Sequence, residues 1–483
     1  MSEPTSREIR TRFQGGSFSR LNEQQCQDLH AASLDILETI GIRLDHAEAV
    51  NLLVKAGATR LVNGNVCIPH ALVENALASV PKRVVLYDRH GDPVMSLEGD
   101  RCFFGPGSDC LNIIDHRDGL RRKPLMQDLI EGIVLCDGLK NIDFVMSMVL
   151  PADIDQTMAD IYQMEAMLTH TTKPIIVVSY ETKGLMEAVE MAETVLGGAR
   201  ALRERPILTC YINVISGAVH NESGLKKLLY LAEKGLPVLY IPGSSAGMTS
   251  PATMAGAVAL DNAGGLVGLV LSQLKREGTP VIWSAMDSAS LDMRTMVSPY
   301  AYPERGIIRS MARYYGLPAF ALAGATEAKI LDQQAGAEAA LTLLADVMMG
   351  GNIVHDLGYL ESGLTFSFSQ LVICCEMVSW IKAFLSEIEV SPETLALDVI
   401  GEVGVRGQYL AHRHTRKHFR EIWYPDLFER GIFSDWSAKG SHSLTERANE
   451  RVQKILDEHR PEPLPADVLK RLREMVKRAE AER

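Results

Sequence analysis

Two residues in this sequence combine a chemically useful side chain with a position at the end of a short apolar run. Asp109 follows the Gly-Pro-Gly turn at 105–107, and His355 lies inside the apolar run at 352–358. A carboxylate after such a turn could face a cationic ligand, whereas a histidine within an apolar run is as often a hydrogen-bonded structural residue as a functional one. Ser108, Ser244 and Asp287 also follow apolar runs, and each could either have a functional role or simply cap a helix or form a turn.

Aromatic side chains are scarce, at 6% of the chain, yet several fall at the ends of apolar runs. A cluster of such rings could hold a quaternary ammonium ion by cation–π attraction. Ordinary strand packing is the alternative, because strand positions favour aromatic residues. Two polar residues, Asn213 and Glu361, complete the set of candidate ligands. The aromatic candidates are Phe103, Phe104, Tyr180, Tyr211, Tyr240, Trp283 and Tyr359.

Eight apolar runs must position these residues, and helical stretches separate them. Apolar strands that alternate with helices predict a parallel sheet buried on both faces, and eight such units predict a closed (β/α)8 TIM barrel of the α/β class. An open, doubly wound sheet is the rival architecture. In a barrel, chemistry lies at the carboxyl ends of the strands. The runs span 102–107, 143–149, 174–180, 206–214, 237–243, 280–286, 319–325 and 352–358.

The segments before and after the predicted barrel differ from it in composition and in predicted secondary structure. Residues 1–100 predict a small α+β cap, in which an amphipathic helix over Asn22–Thr39 ends at Gly41. Residues 101–390 form the predicted catalytic barrel domain. Residues 391–483 are rich in charge and predict a helical C-terminal extension.

Charge and composition exclude several classes of function. The 483 residues carry a formal net charge of −12, which suits neither nucleic acid nor an anionic membrane surface. The N-terminal residues lack the apolar stretch of a secretory signal, and no apolar run has the length of a spanning helix. The eight cysteines are scattered, which is typical of a reducing compartment. We therefore expect a cytoplasmic protein.

One histidine cluster has the spacing of metal ligands. His412, His414 and His418 could bind zinc, but no nearby cysteine or carboxylate completes the set. The sequence also lacks a P-loop and an HExxH motif. We predict that no metal is bound. The local positive charge that opposes a cation comes from Arg413, Arg416, Lys417 and Arg420.

Several segments, in this order, resemble the trimethylamine methyltransferase family over nearly the whole chain. They are ILETIGIRL, GPGSD, LDQQAGAE, HDLGYLESGLTFSFSQLVICCEM and HTRKHFREIWYPDLF. Family members that carry pyrrolysine use it to present a methylamine to a corrinoid, but this chain holds only standard residues. It therefore resembles the branch without pyrrolysine, whose studied members are similar to glycine betaine:corrinoid methyltransferases.

The resemblance implies a quaternary-amine:corrinoid protein Co-methyltransferase. No permanently bound cofactor is expected, because a partner corrinoid protein would present the cobalamin. Asp109 would balance the charge of the substrate cation, the aromatic residues would cage it, and His355 would lie near the reacting methyl group. A homo-oligomer is also expected. The identity of the amine and the basic residue that would bind a substrate carboxylate are left open.

Two other functions remain compatible with the sequence. One is a non-catalytic protein that binds quaternary amines or serves in assembly, because a fold does not fix a function. The other is a metal-dependent barrel hydrolase that uses His355 with Asp109 or Asp356.

Overall fold

A computed structural model describes residues 18–284 and 290–482, and it is a mixed α/β protein. Residues 18–100 form short helices and small two-stranded pairings. A capping box between Asn22 and Gln25 starts the first helix, whose last turn widens into a π-helix at Ile36–Ile40 before Gly41. The elements are α1 Glu23–Asp35, β1 Arg43–Leu44, α2 Ala47–Lys55, β2 Thr59–Arg60, β3 Val66–Cys67, α3 His70–Ser79, β4 Val84–Tyr87 and β5 Pro93–Leu97.

Strands and helices alternate through the centre of the chain. The elements are β6 Phe103–Pro106, β7 Asn112–Ile114, β8 Arg121–Arg122, α4 Met126–Gly138, α5 Ala159–His170, β9 Ile175–Val178, α6 Thr182–Leu196, α7 Ala199–Glu204, β10 Leu208–Val214, β11 Val219–His220, α8 Glu222–Lys234, β12 Val238–Pro242, α9 Met254–Lys275, β13 Val281–Trp283, α10 Ile307–Tyr315, β14 Phe320–Leu322, α11 Gln333–Met348, β15 Ile353–Leu357, β16 Tyr359–Leu360, β17 Thr365–Ser367 and α12 Phe368–Phe384.

The C-terminal region is helical. Its last two helices return to the central helices: α17 packs on α4 and α12, and α18 packs on α5 and α6. The elements are α13 Pro392–Leu395, α14 Leu397–Val403, α15 Arg413–His418, α16 Phe433–Ala438, α17 Leu444–Glu458 and α18 Ala466–Glu482, with single 3-10 turns at Gln156–Met158, Glu361–Gly363 and Phe419–Glu421.

The central strands pair in parallel in two ladders. One ladder has the order β13-β12-β10-β9 and the other has the order β14-β15-β6. A parallel bridge between Trp283 and Ala319 joins β13 to the start of β14. A second parallel bridge joins Val145 to Ile175 at the start of β9.

The run at 143–149 is predicted as a strand, but the structure has no regular strand there. Its backbone nevertheless bonds to the β6 segment: Asp143 N donates to Phe104 O at 2.6 Å, and Met148 N donates to Gly107 O at 3.0 Å. Met148 has a φ of 55°, which no extended strand contains. This left-handed residue explains why the pairing is irregular.

Side chains alternate between the two faces of the parallel strands, as strand geometry requires. One apolar cluster joins inward residues such as Phe144, Ile176 and Phe320 to the β4–β5 hairpin through Leu86 and Leu97. A much larger cluster fills the layer between the strands and the helices and continues into both ends of the described chain.

One of the described helices, α9, is long and apolar enough to cross a bilayer by length and composition, although the sequence predicts that no apolar run has that length. However, 78% of its most apolar window is buried inside the protein. Its Asn262 side chain donates to Ser33 and to Tyr315, which fixes α9 between α1 and α10. It is therefore a core helix of this fold.

Candidate active site

Three rings pack together, from the middle of β10, the start of β14 and the middle of β15. The His355 ring lies 4.1 Å from the Phe320 ring and 5.9 Å from the Tyr211 ring, measured between centroids. Tyr211 and Phe320 are 5.6 Å apart. His355 is only 3% exposed and pairs in register with Leu322 of β14. These residues form an aromatic wall around one imidazole.

The protonation of His355 follows from its two neighbours. Its Nδ1 lies 2.9 Å from the Ala321 carbonyl, which can only accept, so Nδ1 carries the proton. Burial lowers the pKa of His355 to about 3, so the ring is neutral near pH 7. Its Nε2 is then an acceptor, and it lies 3.2 Å from Oδ1 of Asp356.

Asp356 suits that partner because burial raises its pKa well above the usual range, and the positive charge of Arg305 offsets only part of the rise. A protonated Asp356 can donate to Nε2 of His355. Oδ2 of Asp356 is buried and has no hydrogen-bond partner in the part of the chain that the structure describes. The dyad is therefore uncharged, with one polar atom available.

Gly107 allows Asp356 and Tyr359 to approach the end of β6. A Cβ at position 107 would overlap the Tyr359 phenol and lie 2.5 Å from Oδ1 of Asp356. The Tyr359 hydroxyl donates to the carbonyl of Ser108 and accepts from its amide. This exchange ties the turn after β6 to the segment after β15.

Asp109 follows in the same turn and is partly exposed. Its Oδ1 accepts from Ser147 Oγ at 2.8 Å and from Gln163 Nε2 at 3.0 Å. Burial raises the pKa of Asp109 to about 6, against the lowering effect of these two hydrogen bonds. At pH 7 most of Asp109 is ionised, so it supplies a negative charge beside the neutral dyad.

Both carboxyl groups lie around the same phenol. After burial, the charged neighbours that raise the pKa of Tyr359 include Asp356 and, more weakly, Asp109. Non-glycine residues with left-handed backbones also concentrate here, which is common at functional sites. They are Asp109, Met148, Asp356, Glu361 and Ser362, with φ values of 59°, 55°, 83°, 52° and 53°.

Strand alternation turns three of the predicted aromatic residues away from this cluster. Phe104 faces Lys382 of α12, with Nζ 5.2 Å from the ring centroid. Tyr240 bonds His220 at 2.7 Å and packs on α9 at Gly268, and Trp283 packs edge-on to Tyr315 of α10. The expectation that these three line a cation site is wrong, because they point to the helices.

Two further candidates occupy other environments. Phe103 faces inward but belongs to the apolar cluster that includes the β4–β5 hairpin, at the other end of β6 from Gly107. Glu361 is held by Arg121, at 2.9 Å, and by Thr365, at 2.6 Å. Burial would raise the pKa of Glu361, but these bonds outweigh it and lower the pKa. Phe103 therefore shares its apolar cluster with Phe320 and pairs with Ile353, two residues before His355, whereas Glu361 is engaged by Arg121 and Thr365.

Tyr180 and Asn213 sit on the exposed edge of the strand ends. The Tyr180 side chain follows β9 and is exposed, while its backbone amide donates to Asp160 at 3.2 Å. Asn213 is exposed and lies two residues beyond Tyr211 on β10, so the two share a face. Both can therefore reach a ligand that enters from the carboxyl side of the strands.

Ser244 and Ser108, for which a capping or turn role was the alternative to a functional one, differ in what they contact. Ser244 has a structural role, because its hydroxyl donates to buried Asp261 at 2.5 Å. Ser108 contributes its backbone to the Tyr359 pairing described above. Asp287 lies outside the described residues.

Two residues of this region have no signal in the sequence. The Tyr300 ring lies 6.3 Å from Tyr359, and Arg305 donates to the Leu322 carbonyl at 2.6 Å. Both belong to the long connection between β13 and α10, where no apolar run marks a position. Only their proximity in the fold reveals them.

The histidine cluster lies in the C-terminal region. The rings of His414 and His418 are 4.3 Å apart, beside a cavity of about 790 Å³ that is lined only by residues between 392 and 418. His418 contacts Glu421 at 2.8 Å, and His412 Nδ1 accepts from the His414 amide. Within the described residues, no group of three or more histidine, cysteine or acidic side chains has an arrangement that could hold a metal ion.

The comparisons with known proteins agree along the whole chain. The trimethylamine methyltransferase (MTTB) family model matches residues 3–483. Trimethylamine methyltransferase MttB of Desulfitobacterium hafniense is 32% identical over 98% of this chain and 96% of that protein. A glycine betaine methyltransferase from another strain of that species is 30% identical over 95% and 96%. Among solved structures, the monomethylamine methyltransferase MtmB of Methanosarcina barkeri covers 92% of this chain and 89% of its own, with a TM-score of 0.49 at 10% identity.

A chain matched from end to end in this way is a methyltransferase by class. It belongs to the trimethylamine methyltransferase family, which confirms the resemblance seen in its sequence motifs.

Proposed function

We propose that this protein moves a methyl group from a quaternary amine to the Co(I) corrinoid of a partner protein. The observation that carries the proposal is one ionised carboxylate, Asp109, beside a buried, uncharged cluster of His355, Asp356 and aromatic rings. The family membership supports methyl transfer, and the similarity to a glycine betaine methyltransferase supports a quaternary amine as donor.

The fold that would carry this reaction is a (β/α)8 barrel. Its support is the continuous order of parallel neighbours, from β6 through β15 and β14 to β13, β12, β10 and β9, and then by way of 143–149 back to β6. In this proposal residues 1–100 are the cap, 101–390 the catalytic domain and 391–483 the extension, in a cytoplasmic homo-oligomer.

The proposed reaction requires little acid–base catalysis by the protein. In the transfer the C–N bond breaks, its electron pair leaves with nitrogen, and the cobalt donates the pair that forms the new Co–C bond. The leaving group is a neutral tertiary amine that needs no proton, which suits a His355 that is neutral and cannot deliver one. Tyr211 and Tyr359 would contact the cation, Asp109 would balance its charge, and the buried walls would exclude water.

The corrinoid is a substrate that arrives from outside, and the loops after the strands offer it an apolar surface. Exposed large apolar side chains occur in five of these loops, where a partner that carries a flat macrocycle would cover them. They are Tyr180, Ile215, Met248, Met293, Met296 and Ile330.

The test is a cobalt methylation assay with purified protein, Co(I) cobalamin or a corrinoid protein, and a panel of glycine betaine, proline betaine, carnitine, choline and trimethylamine. We expect methylation of cobalt with at least one quaternary amine and none with trimethylamine, because trimethylammonium can lose its proton and become an unreactive neutral amine. Activity on trimethylamine alone, or on no member of the panel, would refute the proposal.

A further inference from the structure

Arg305 is a buried arginine whose hydrogen-bonding capacity is only partly used. It is 6% exposed. Its Nη2 donates to the Leu322 carbonyl at 2.6 Å, and its Nε lies 3.2 Å from Oδ2 of Asp346. Its Nη1 is buried and has no hydrogen-bond partner among the residues at 18–284 and 290–482. A buried guanidinium nitrogen without a hydrogen-bond partner lowers the stability of the folded protein unless a ligand accepts its hydrogen bond.

The position of this guanidinium is next to the His355 cluster. Leu322, whose carbonyl receives Nη2, is the in-register neighbour of His355 on the adjoining strand. The positive charge of Arg305 also acts on Asp356, the acidic partner of His355. Nη1 of Arg305 is thus a buried cationic donor, without a described hydrogen-bond partner, on a side chain that is bonded to the strand beside His355.

Arg305 contacts Asp346 through Nε and not through Nη1. Asp346 is fully buried and is shared by two arginines, with Nε of Arg305 at 3.2 Å and Nε of Arg309 at 2.6 Å. Asp356 is too strongly buried to stay ionised, because burial raises its pKa well above the usual range. A ligand carboxylate at Nη1 of Arg305 would therefore meet no negative charge from Asp356.

We propose that Nη1 of Arg305 binds the carboxylate of the substrate, so that the enzyme selects betaines over quaternary amines without a carboxylate. This inference rests on the proposed function and narrows its substrate class. An arginine–carboxylate contact is a strong, charge-assisted hydrogen bond. The methylammonium end would then point toward Tyr211 and Asp109.

The experiment compares glycine betaine with its methyl ester, which keeps the quaternary ammonium group and loses the negative charge. Binding is measured by calorimetry without corrinoid, and kcat/KM by cobalt methylation. We expect the wild-type protein to favour glycine betaine over the ester by 100-fold or more in both measurements. The substitution Arg305→Lys should reduce that preference at least tenfold, since a lysine is shorter and lacks the planar fork.

Arg309→Lys is the matched control, because Arg309 shares Asp346 with Arg305, at 2.6 Å, and lies on the neighbouring helix α10. It should destabilise the protein without altering the preference for the carboxylate. An equal preference for betaine and ester in the wild type, or an equal loss in both variants, would overturn the inference. Should Arg305→Lys fail to fold, the comparison of glycine betaine with its methyl ester in the wild-type protein still tests whether the site selects a carboxylate. Methylation from choline and the ester at betaine-like rates would refute the role of Arg305 while the proposed function stands, whereas the absence of any methylation would refute the latter.

Discussion

Gly107 is the most sensitive position of the candidate site, because no side chain fits there. A Cβ added at this residue would overlap the phenol of Tyr359 and lie 2.5 Å from Oδ1 of Asp356. Carbon atoms in contact normally stay about 3.5–4.0 Å apart. The substitution Gly107→Ala must therefore move Tyr359 and Asp356 by about 1 Å, and the backbone itself can accept alanine since its φ is not left-handed.

The magnitude follows from two general costs. Overpacking of a buried position costs about 1–3 kcal/mol of folding free energy. A displacement of about 1 Å at a reacting centre lowers the rate by about 100-fold. We expect Gly107→Ala to remain folded, with a free energy of unfolding lower by about 2 kcal/mol and a kcat/KM lower by about 100-fold.

The assay pairs urea unfolding with the rate of cobalt methylation from the best substrate of the panel. Gly105→Ala is a control of similar steric cost, since its Cβ would overlap the Phe144 ring below the site. It should lose comparable stability but less than tenfold in kcat/KM. Gly336→Ala, in α11 with open space around it, should lose neither. A Gly107→Ala enzyme with wild-type kcat/KM, or a Gly105→Ala enzyme that is equally impaired, would refute this reasoning.

Further predictions concern Asp109, His355, Tyr240 and the histidine cluster. The affinity for the quaternary amine should fall as the pH drops through about 6, where Asp109 becomes protonated, and Asp109→Asn should abolish this pH dependence in calorimetric titrations. Because burial raises the pKa of Asp109 in the folded state, its contribution to the free energy of unfolding is fully present below pH 4 and is lost as the pH rises through about 6. The free energy of unfolding of Asp109→Asn, measured with urea, should therefore gain up to about 3 kcal/mol relative to wild type between pH 4 and 7. An unchanged difference between the two proteins would contradict the burial of this carboxyl. His355→Gln should lower kcat by about 10–100-fold with a KM within a few-fold of wild type, as loss of positioning requires; a change in KM alone would argue against its place near the methyl group. Tyr240→Phe should cost about 1 kcal/mol through its lost bond to His220 and leave kcat/KM intact, because it faces the helices. Protein purified without added metal should contain less than stoichiometric zinc by mass spectrometry, and a full equivalent lost on replacing His414 would disprove the prediction for this cluster.

The order of strands and helices could be read from the sequence because it depends on local chemistry. Buried parallel strands are short, continuous apolar runs, and the helices between them have their own start and stop signals. The helical stretches expected between the apolar runs are present in the structure, for example as α9 and α11. The run at 143–149 departed from expectation because Met148 adopts a left-handed backbone that no apolar pattern reveals.

The candidate site was only partly predictable for a related reason. Strand ends identified Asp109, Tyr211 and His355, but the face of a strand depends on register, which neighbouring strands set. Neighbours in sequence such as Phe103 and Phe104 therefore diverged, and Tyr240 and Trp283 turned to the helices.

The sequence by itself determined the family, the succession of apolar strands and helices, and the presence of a carboxylate and a histidine at strand ends. The tertiary structure decided which of these groups share one environment and in which protonation state. Burial alone shifts the pKa of His355 and Asp356 in opposite directions and makes both neutral, and burial is a property of the assembled fold. Arg305 comes to these groups from a loop distant in sequence, because chain closure in three dimensions, and not local pattern, brings its guanidinium to β14.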